Sequence, residues 1–457
     1  MGPMTPRRLA VVIALLCCQA PAQGQAPAQG QTPQLQVPYR LLTLANGLTV
    51  ILHQDRTVPI VSVNVWYHVG SANERPGRTG FAHLFEHLMF EGSKHVPEGE
   101  FDSLLEAAGA NNNGSTNVDR TNYVIDVPKN ALELALFLES DRMGYLLDTM
   151  SPARVDGQRD VVKNERRQRI ENAPYGQAFV ELSTLLYPRG HPYSWPTIGY
   201  MEDLSAASYD DVVEFFKTYY APNNASLAIA GDIDLDRTQA LVEKWFGEIP
   251  RGPAVPLLDA MPARLAGVTR RTIADRVQLP RLYLAWLTPA AYAPGDAALD
   301  VASSVLAGGK NSRLYKRLVY DTQAAQDVAA FQMSSALGSA FAVIATARPG
   351  RTIDEIQTMI DEEFERLRRE PPDAREVRRA VSQIEASFYR QIERVGGFGG
   401  KANQLNAYYF AAGNPDFFAE DLARYTAIAP TDVQAAIRAW LPADRRVELI
   451  VAPEKNQ

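Results

Sequence analysis

The stretch PRGPAVPLLDAMPA, residues 250–263, sets four prolines within fourteen positions near the middle of a 457-residue chain. Proline lacks a backbone N–H and has a fixed φ, so such a run continues neither a helix nor an inner strand. A chain of this length exceeds what one hydrophobic core supports, and this is where it can divide. The segments on either side follow a similar order. Before it, RLLTLANGLTVILHQD reads as a hairpin around Asn46-Gly47, and VPIVSVNVWYHVG as a strand of period two. Helical stretches, the strand TNYVIDVP, further helices and a closing strand SLAIAGDID follow. After it come the strand RLYLAWLTPA, the helix ALDVASSVLAG, the strand FAVIATARP, long helices and a last strand RVELIVAP. The expectation is an α+β protein of two homologous domains, each a mostly antiparallel sheet packed with helices. They span residues 39–250 and 264–457, joined by a linker over 251–263.

The chain begins differently. Arg7 and Arg8 precede LAVVIALLCC, and small residues then lead to Ala20-Pro21-Ala22. That order of basic, apolar and A-x-A segments reads as a signal peptide over residues 1–22. Ten apolar residues are too few to cross a bilayer, so no stable membrane anchor is expected. Residues 23–38 continue a repeated APAQGQ unit with no large apolar side chain until Leu35, the composition of a disordered tether. Both cysteines, Cys17 and Cys18, fall in the segment to be removed, so neither disulfides nor thiol chemistry serves the mature chain. A lipid-modified cysteine in LLCC fits poorly, because the residue before it should be small. The formal charge is −7, and loss of Arg7 and Arg8 leaves 44 basic against 53 acidic residues, or −9. That balance gives no basis for binding nucleic acid or an anionic membrane. The expected location is periplasmic or secreted.

Two of the six histidines sit in GFAHLFEHLMFEGS, residues 80–93. On a helix, His83 and His87 are one turn apart on one face, and Glu86 lies beside them. Two imidazoles so spaced suit a tetrahedral Zn²⁺, which takes three protein ligands and keeps one position open for water. A carboxylate next to that water can take its proton. The alternative is a solvated helix face or a helix-terminal charge cluster. Against it, the polar trio is embedded in Phe81, Leu84, Phe85, Leu88, Met89 and Phe90, and a further carboxylate, Glu165 in VVKNERRQR, is available on a second helix. A mature chain without cysteine can build a zinc site only from histidine and carboxylates. The second half has no histidine, the last being His191, so any histidine chemistry belongs to the first half.

H-x-x-E-H is the inverse of H-E-x-x-H, and here the chain resembles the inverzincin metallopeptidases of the pitrilysin, insulin-degrading and mitochondrial-processing-peptidase type, the M16 type. TLANGLTVIL is similar to that family's opening hairpin, and GFAHLFEHLMFEGS to its zinc helix. GANNNGSTNVDRTNYVIDVP, HPYSWPTIGYMEDL and YYAPNNASLAIAGDID are similar to its substrate-side strand, mid-domain loop and closing strand. The resemblance implies one Zn²⁺ per chain held by His83, His87 and Glu165, with Glu86 as general base, in a half-clamshell fold. It also implies that Asn113, Gly114 and Ser115 lie on an edge strand that pairs with the backbone of a peptide substrate, a mode that reads little sequence. The implied activity is a zinc-dependent endopeptidase acting on small or unfolded peptides.

Two departures from the family pattern matter. Many members carry a glutamate seven residues before the third ligand, where this chain has Gln158, which can hydrogen-bond but brings no charge. Members that act as one complete clamshell carry an Arg and, seven residues on, a Tyr; the aligned stretch RLVYDTQAAQDV has Val319 and Gln326 there. A homologous non-catalytic subunit would then supply the pair, making this chain the catalytic half of a heterodimer, although Arg317 or Tyr320 could compensate. The competing reading is a non-catalytic peptide-binding or assembly subunit of the same fold. GGFGG, residues 396–400, follows a helix, lacks the strand, Lys and Ser/Thr of a phosphate loop, and reads as a flexible hinge or loop near the chamber. His53, His68, His95 and His191 read as isolated polar residues, and FFKTYY as core.

Overall fold

A computed structural model describes residues 35–258 and 261–454. The signal peptide expected over 1–22 lies outside them, as does the tether apart from residues 35–38. The first sheet has six strands: β1 (Arg40–Thr43), β2 (Thr49–Gln54), β3 (Ile60–Tyr67), β4 (Asn111–Thr116), β5 (Thr121–Pro128) and β6 (Ala225–Gly231). Their spatial order is β1-β2-β6-β3-β5-β4. The second has β7 (Thr269–Asp275), β8 (Arg281–Thr288), β9 (Ala325–Met333), β10 (Ser339–Ala347) and β11 (Val447–Pro453), in the order β7-β11-β8-β10-β9. Each sheet contains one parallel pair, β2 with β6 and β7 with β11, and is otherwise antiparallel. Leaving out β1, the two orders superimpose strand for strand, with β4 of the first sheet matched by β9 of the second. The duplicated α+β unit legible in the sequence is thus a duplication of topology, including its one parallel pair.

The hairpin between β1 and β2 turns over Leu44–Gly47, closed by the Gly47 amide on Leu44 O at 2.9 Å, with Asn46 inside the turn and Gly47 taking the left-handed position that ends it. Asn46 Nδ2 donates to Phe246 O at 2.8 Å and Ile249 O at 2.9 Å, pinning the turn to the end of the helix Leu235–Phe246. One core gathers β2, β3, β5 and β6 with the helices Phe81–Leu88, Leu132–Tyr145 and Leu235–Phe246; a second gathers β8 and β10 with helices after residue 295.

Two helices cross between the halves. Ala178–Leu186 comes from the first half, yet Ala178, Leu182 and Leu186 are buried against Tyr283, Ala285, Val447 and Leu449 of the second sheet. Lys401–Ala412 comes from the second half and covers the polar face of the first sheet. There Asn403 Oδ1 accepts from Trp66 Nε1 (3.0 Å) and Asn122 Nδ2 (2.9 Å), and Asn406 Nδ2 donates to Asn64 O at 2.8 Å. Lys401 also pairs with Asp55. The asparagines answer polar groups that the sheet would otherwise bury without partners.

The glycine run at 396–400 is a loop between the helices Ala374–Ile392 and Lys401–Ala412. A Cβ on Gly396 would overlap the Asp126 carboxylate on β5, so the loop is packed against the first sheet and glycine permits the close approach.

Candidate metal centre

The helix Phe81–Leu88 turns Phe81, Leu84, Phe85 and Leu88 into the first core and leaves His83, Glu86 and His87 on its other side. Its N-cap, Gly80, has no side chain to cap it. Glu74 does so from six residues earlier: Oε2 accepts the Gly80 amide at 2.9 Å and Oε1 the Ala82 amide at 2.8 Å. A buried carboxylate at a helix N-terminus satisfies orphan donors and complements the helix dipole. Sequence inspection missed Glu74, because it stands outside the positions where a capping residue is sought.

Glu165 comes from a second helix, Pro152–Arg166, started by Ser151, whose side chain accepts the Arg154 amide. Glu165 Oε2 lies 3.2 Å from His87 Nε2 and 3.7 Å from His83 Nε2, and the two imidazoles stand edge to face with centroids 4.9 Å apart. Arg169, one turn on, holds the other oxygen of Glu165 at 2.6 Å. Three donor atoms of His83, His87 and Glu165 lie within 4.8 Å of one another. Zinc ligands at about 2.0–2.2 Å in a tetrahedron stand about 3.4 Å apart, so this donor set fits zinc with little adjustment. Burial, with His87 alongside, lowers His83 to about 4 against the pull of Glu165, which keeps its imidazole neutral and able to ligate.

Glu86 faces the same space. Burial raises its pKa, while the Thr116 hydroxyl and the nearby His87 pull it down. A carboxylate so displaced is better matched to proton transfer near neutral pH. Asn113, Gly114 and Ser115 lie on β4, the last strand of its sheet, which among the described residues pairs with β5 alone and leaves its other edge free. A Cβ on Gly114 would stand 3.0 Å from Glu86 Cγ, so the free edge runs directly past Glu86.

The remaining sites named from sequence fall elsewhere. Gln158, two turns before Glu165, donates to Glu91 Oε1 at 2.6 Å and so links the two site helices beyond the cluster. Val319 packs partly buried against the second core, and Gln326 is exposed on β9. Arg317 is engaged by Glu363 at 3.2 Å and by Glu362, while Tyr320 is exposed.

A duplicated α+β fold that sets an H-x-x-E-H helix and a distant glutamate beside an edge strand is the arrangement of the inverted-motif metallopeptidase class. Residues 49–185 match the family described as insulinase, peptidase family M16, and residues 206–384 match the peptidase M16 inactive domain. The chain is 30% identical to the zinc protease PqqE of Helicobacter pylori over 77% of its own length and 80% of that protein's. It is 27% identical to an uncharacterized zinc protease of Streptomyces coelicolor, covering 92% of itself and 90% of the relative. A crystal structure of a protease from Helicobacter pylori superimposes with a TM-score of 0.86 at 27% identity, covering 92% of this chain and all of that one. The fold is shared with a Pseudomonas fluorescens structure described as a peptidase M16 inactive domain, with a TM-score of 0.81 at 19% identity. The chain belongs to the M16 peptidase family, and the segment that lacks histidine is the one matching that family's inactive domain.

Proposed function

We propose that this chain is a zinc-dependent endopeptidase acting on small or unfolded peptides. Zinc, when bound by His83, His87 and Glu165, would supply a Lewis acid for the scissile carbonyl and lower the pKa of water towards ~7. Glu86 takes a proton from the attacking water and returns it to the leaving amine. The free edge of β4 binds the substrate as an added strand, so backbone hydrogen bonds hold the peptide while side chains stay largely unread. The observation that carries the reading is the meeting of His83, His87 and Glu165 beside Glu86 and a free strand edge.

The same proposal includes export through the N-terminal signal peptide and pairing with a homologous non-catalytic subunit. In its support, neither Val319 nor Gln326 provides the Arg and Tyr of one-chain clamshell members, and Arg317 is already ion-paired. A non-catalytic subunit of the same fold is the competing reading, and the complete set of ligands and base argues against it. Zinc content measured with hydrolysis of a fluorogenic peptide tests the two. Glu86→Gln is expected to retain zinc and lose hydrolysis; activity retained in that variant would overturn the mechanism. Full activity of the purified chain alone would overturn the pairing.

A further inference from the structure

A cavity of about 450 Å³ lies where the two halves meet, lined in part by the segments that follow β4 and Glu165. Val118 contributes from the turn after β4, Ile170 from the helical turn after Glu165, Phe179 from the crossing helix Ala178–Leu186, Trp195 from the mid-domain loop and Met333 from β9. The volume is in the range of small-ligand sites, about 300–1,000 Å³. Phe179 remains 45% exposed, with its ring 6.0 Å from Tyr283 and 6.4 Å from Phe331. A large ring left open to a concave apolar wall is a site for another apolar group, since covering it recovers about 25 cal/mol per Å².

The wall is also fixed in place. Tyr193, which lines the cavity, donates to Asp119 and accepts the Leu337 amide at 2.9 Å. The Ala336 amide donates to Asp119 Oδ2 at 2.9 Å. These bonds clamp the β9–β10 turn onto the β4–β5 turn, so an entering group finds the pocket already formed and loses little to ordering it.

We propose that this cavity takes an apolar side chain, aromatic or branched aliphatic, of the peptide laid along β4. The inference rests on the peptidase reading and adds a side-chain preference to it. Val118 is four residues beyond Gly114, where β4 passes Glu86. At roughly 3.3 Å per residue, the cavity is reached by a peptide residue three or four places from the bond to be cut. Its lining contains no charged side chain, so a charged residue entering it would lose water without gaining a partner.

The test uses the zinc-loaded full chain carrying Glu86→Gln and fluorescent ten-residue peptides in which Leu, Phe or Asp is placed at each position in turn. Affinity is read by anisotropy. Leu or Phe is expected to bind roughly 10-fold or more tighter than Asp at one position three or four residues from the cleavage point. Val180→Trp and Ser183→Phe, which fill the cavity from different turns of the crossing helix, are each expected to reduce that ratio to about two-fold or less. The readout is a ratio, so a general weakening leaves it legible. No peptide binding, no such position, or a ratio that survives both fillings overturns the proposal. If the preference is found but the wild-type chain leaves the same peptides uncut, the pocket stands and the peptidase reading falls.

Discussion

Gly114 on the free strand edge lies against Glu86 so closely that a Cβ at position 114 would stand 3.0 Å from Glu86 Cγ. The peptide-binding edge and the general base are therefore packed on each other. Gly114→Ala forces a shift of a few tenths of an ångström and Gly114→Val a larger one. Misplacement of a catalytic group by about 1 Å costs on the order of 100-fold. The expected kcat/KM is thus about 10-fold lower for Ala and about 100-fold lower for Val. Zinc content, read by elemental analysis, should stay unchanged, since the atoms that an added Cβ meets first belong to Glu86, Phe90 and Tyr123 and not to the three ligands. Unaltered kinetics in Gly114→Val would disconnect the edge strand from catalysis.

Glu74 orders the start of the helix that carries His83, Glu86 and His87, with one oxygen on the Gly80 amide and the other on the Ala82 amide. Glu74→Gln keeps the shape but turns one acceptor into a donor facing an N–H. A buried donor left without a partner costs about 1–3 kcal/mol, which for a protein of this size lowers the Tm by about 1–3 °C. Calorimetry measures that loss. The helix should also hold zinc less firmly, so a competition titration with a chelator is expected to give a weaker apparent affinity. A variant with wild-type Tm and zinc affinity would show that Gly80 and Ala82 find other acceptors.

These two positions also mark what the sequence does and does not disclose. The spacing of His83 and His87 implied one helical face and Asn46-Gly47 implied a hairpin, because both depend only on local geometry. Resemblance supplied Glu165 and the edge strand, which local spacing could not link to His87 across 78 residues. Glu74 was invisible because its partners are amides, which leave no trace in side-chain patterns. The exchange of helices was hidden for a related reason. Apolar spacing at Ala178, Leu182 and Leu186 reveals a buried face but not which sheet it covers. Gln158 likewise offered no clue that its partner is Glu91, beyond the end of the other helix.

Asp300 gives the stability a pH dependence apart from the metal centre. Burial raises its carboxyl to about 7, with Asp296 adding to the rise and the Tyr425 hydroxyl, 2.9 Å from Oδ2, and Arg424 opposing it. An unfolded Asp titrates near 3.9, so between those values the folded state binds the proton and the unfolded state does not. Stability contributed by the neutral form is complete below about pH 4 and is lost as pH rises through about 7. Asp300→Asn fixes the neutral form and keeps an acceptor for Tyr425. Its Tm should match wild type near pH 4 and exceed it at pH 8 by a few degrees, about 1 °C per kcal/mol for a chain of this length. Parallel thermal melts across that range check the sign. A constant difference at all pH values would mean that Asp300 does not titrate within it.

The crossing helices bear on whether either half can stand alone. Without Lys401–Ala412, the first sheet exposes Trp66 and leaves Asn64 and Asn122 without the partners Asn406 and Asn403. Without the second sheet, Leu182 and Leu186, now 2% and 4% exposed, return to water. Exposing two leucines costs about 3–6 kcal/mol, and uncovering the Trp66 ring adds roughly 1.5–3 kcal/mol. That sum rivals the whole net stability of a typical domain, about 5–15 kcal/mol. Residues 36–250 and 264–457, made separately, are expected to lack a cooperative thermal transition, and co-expression should recover a soluble complex that has one. Circular dichroism melts with size-exclusion chromatography provide the check. A cooperative melt at the full-chain Tm from either half alone would show that the exchanged helices contribute little to holding the fold.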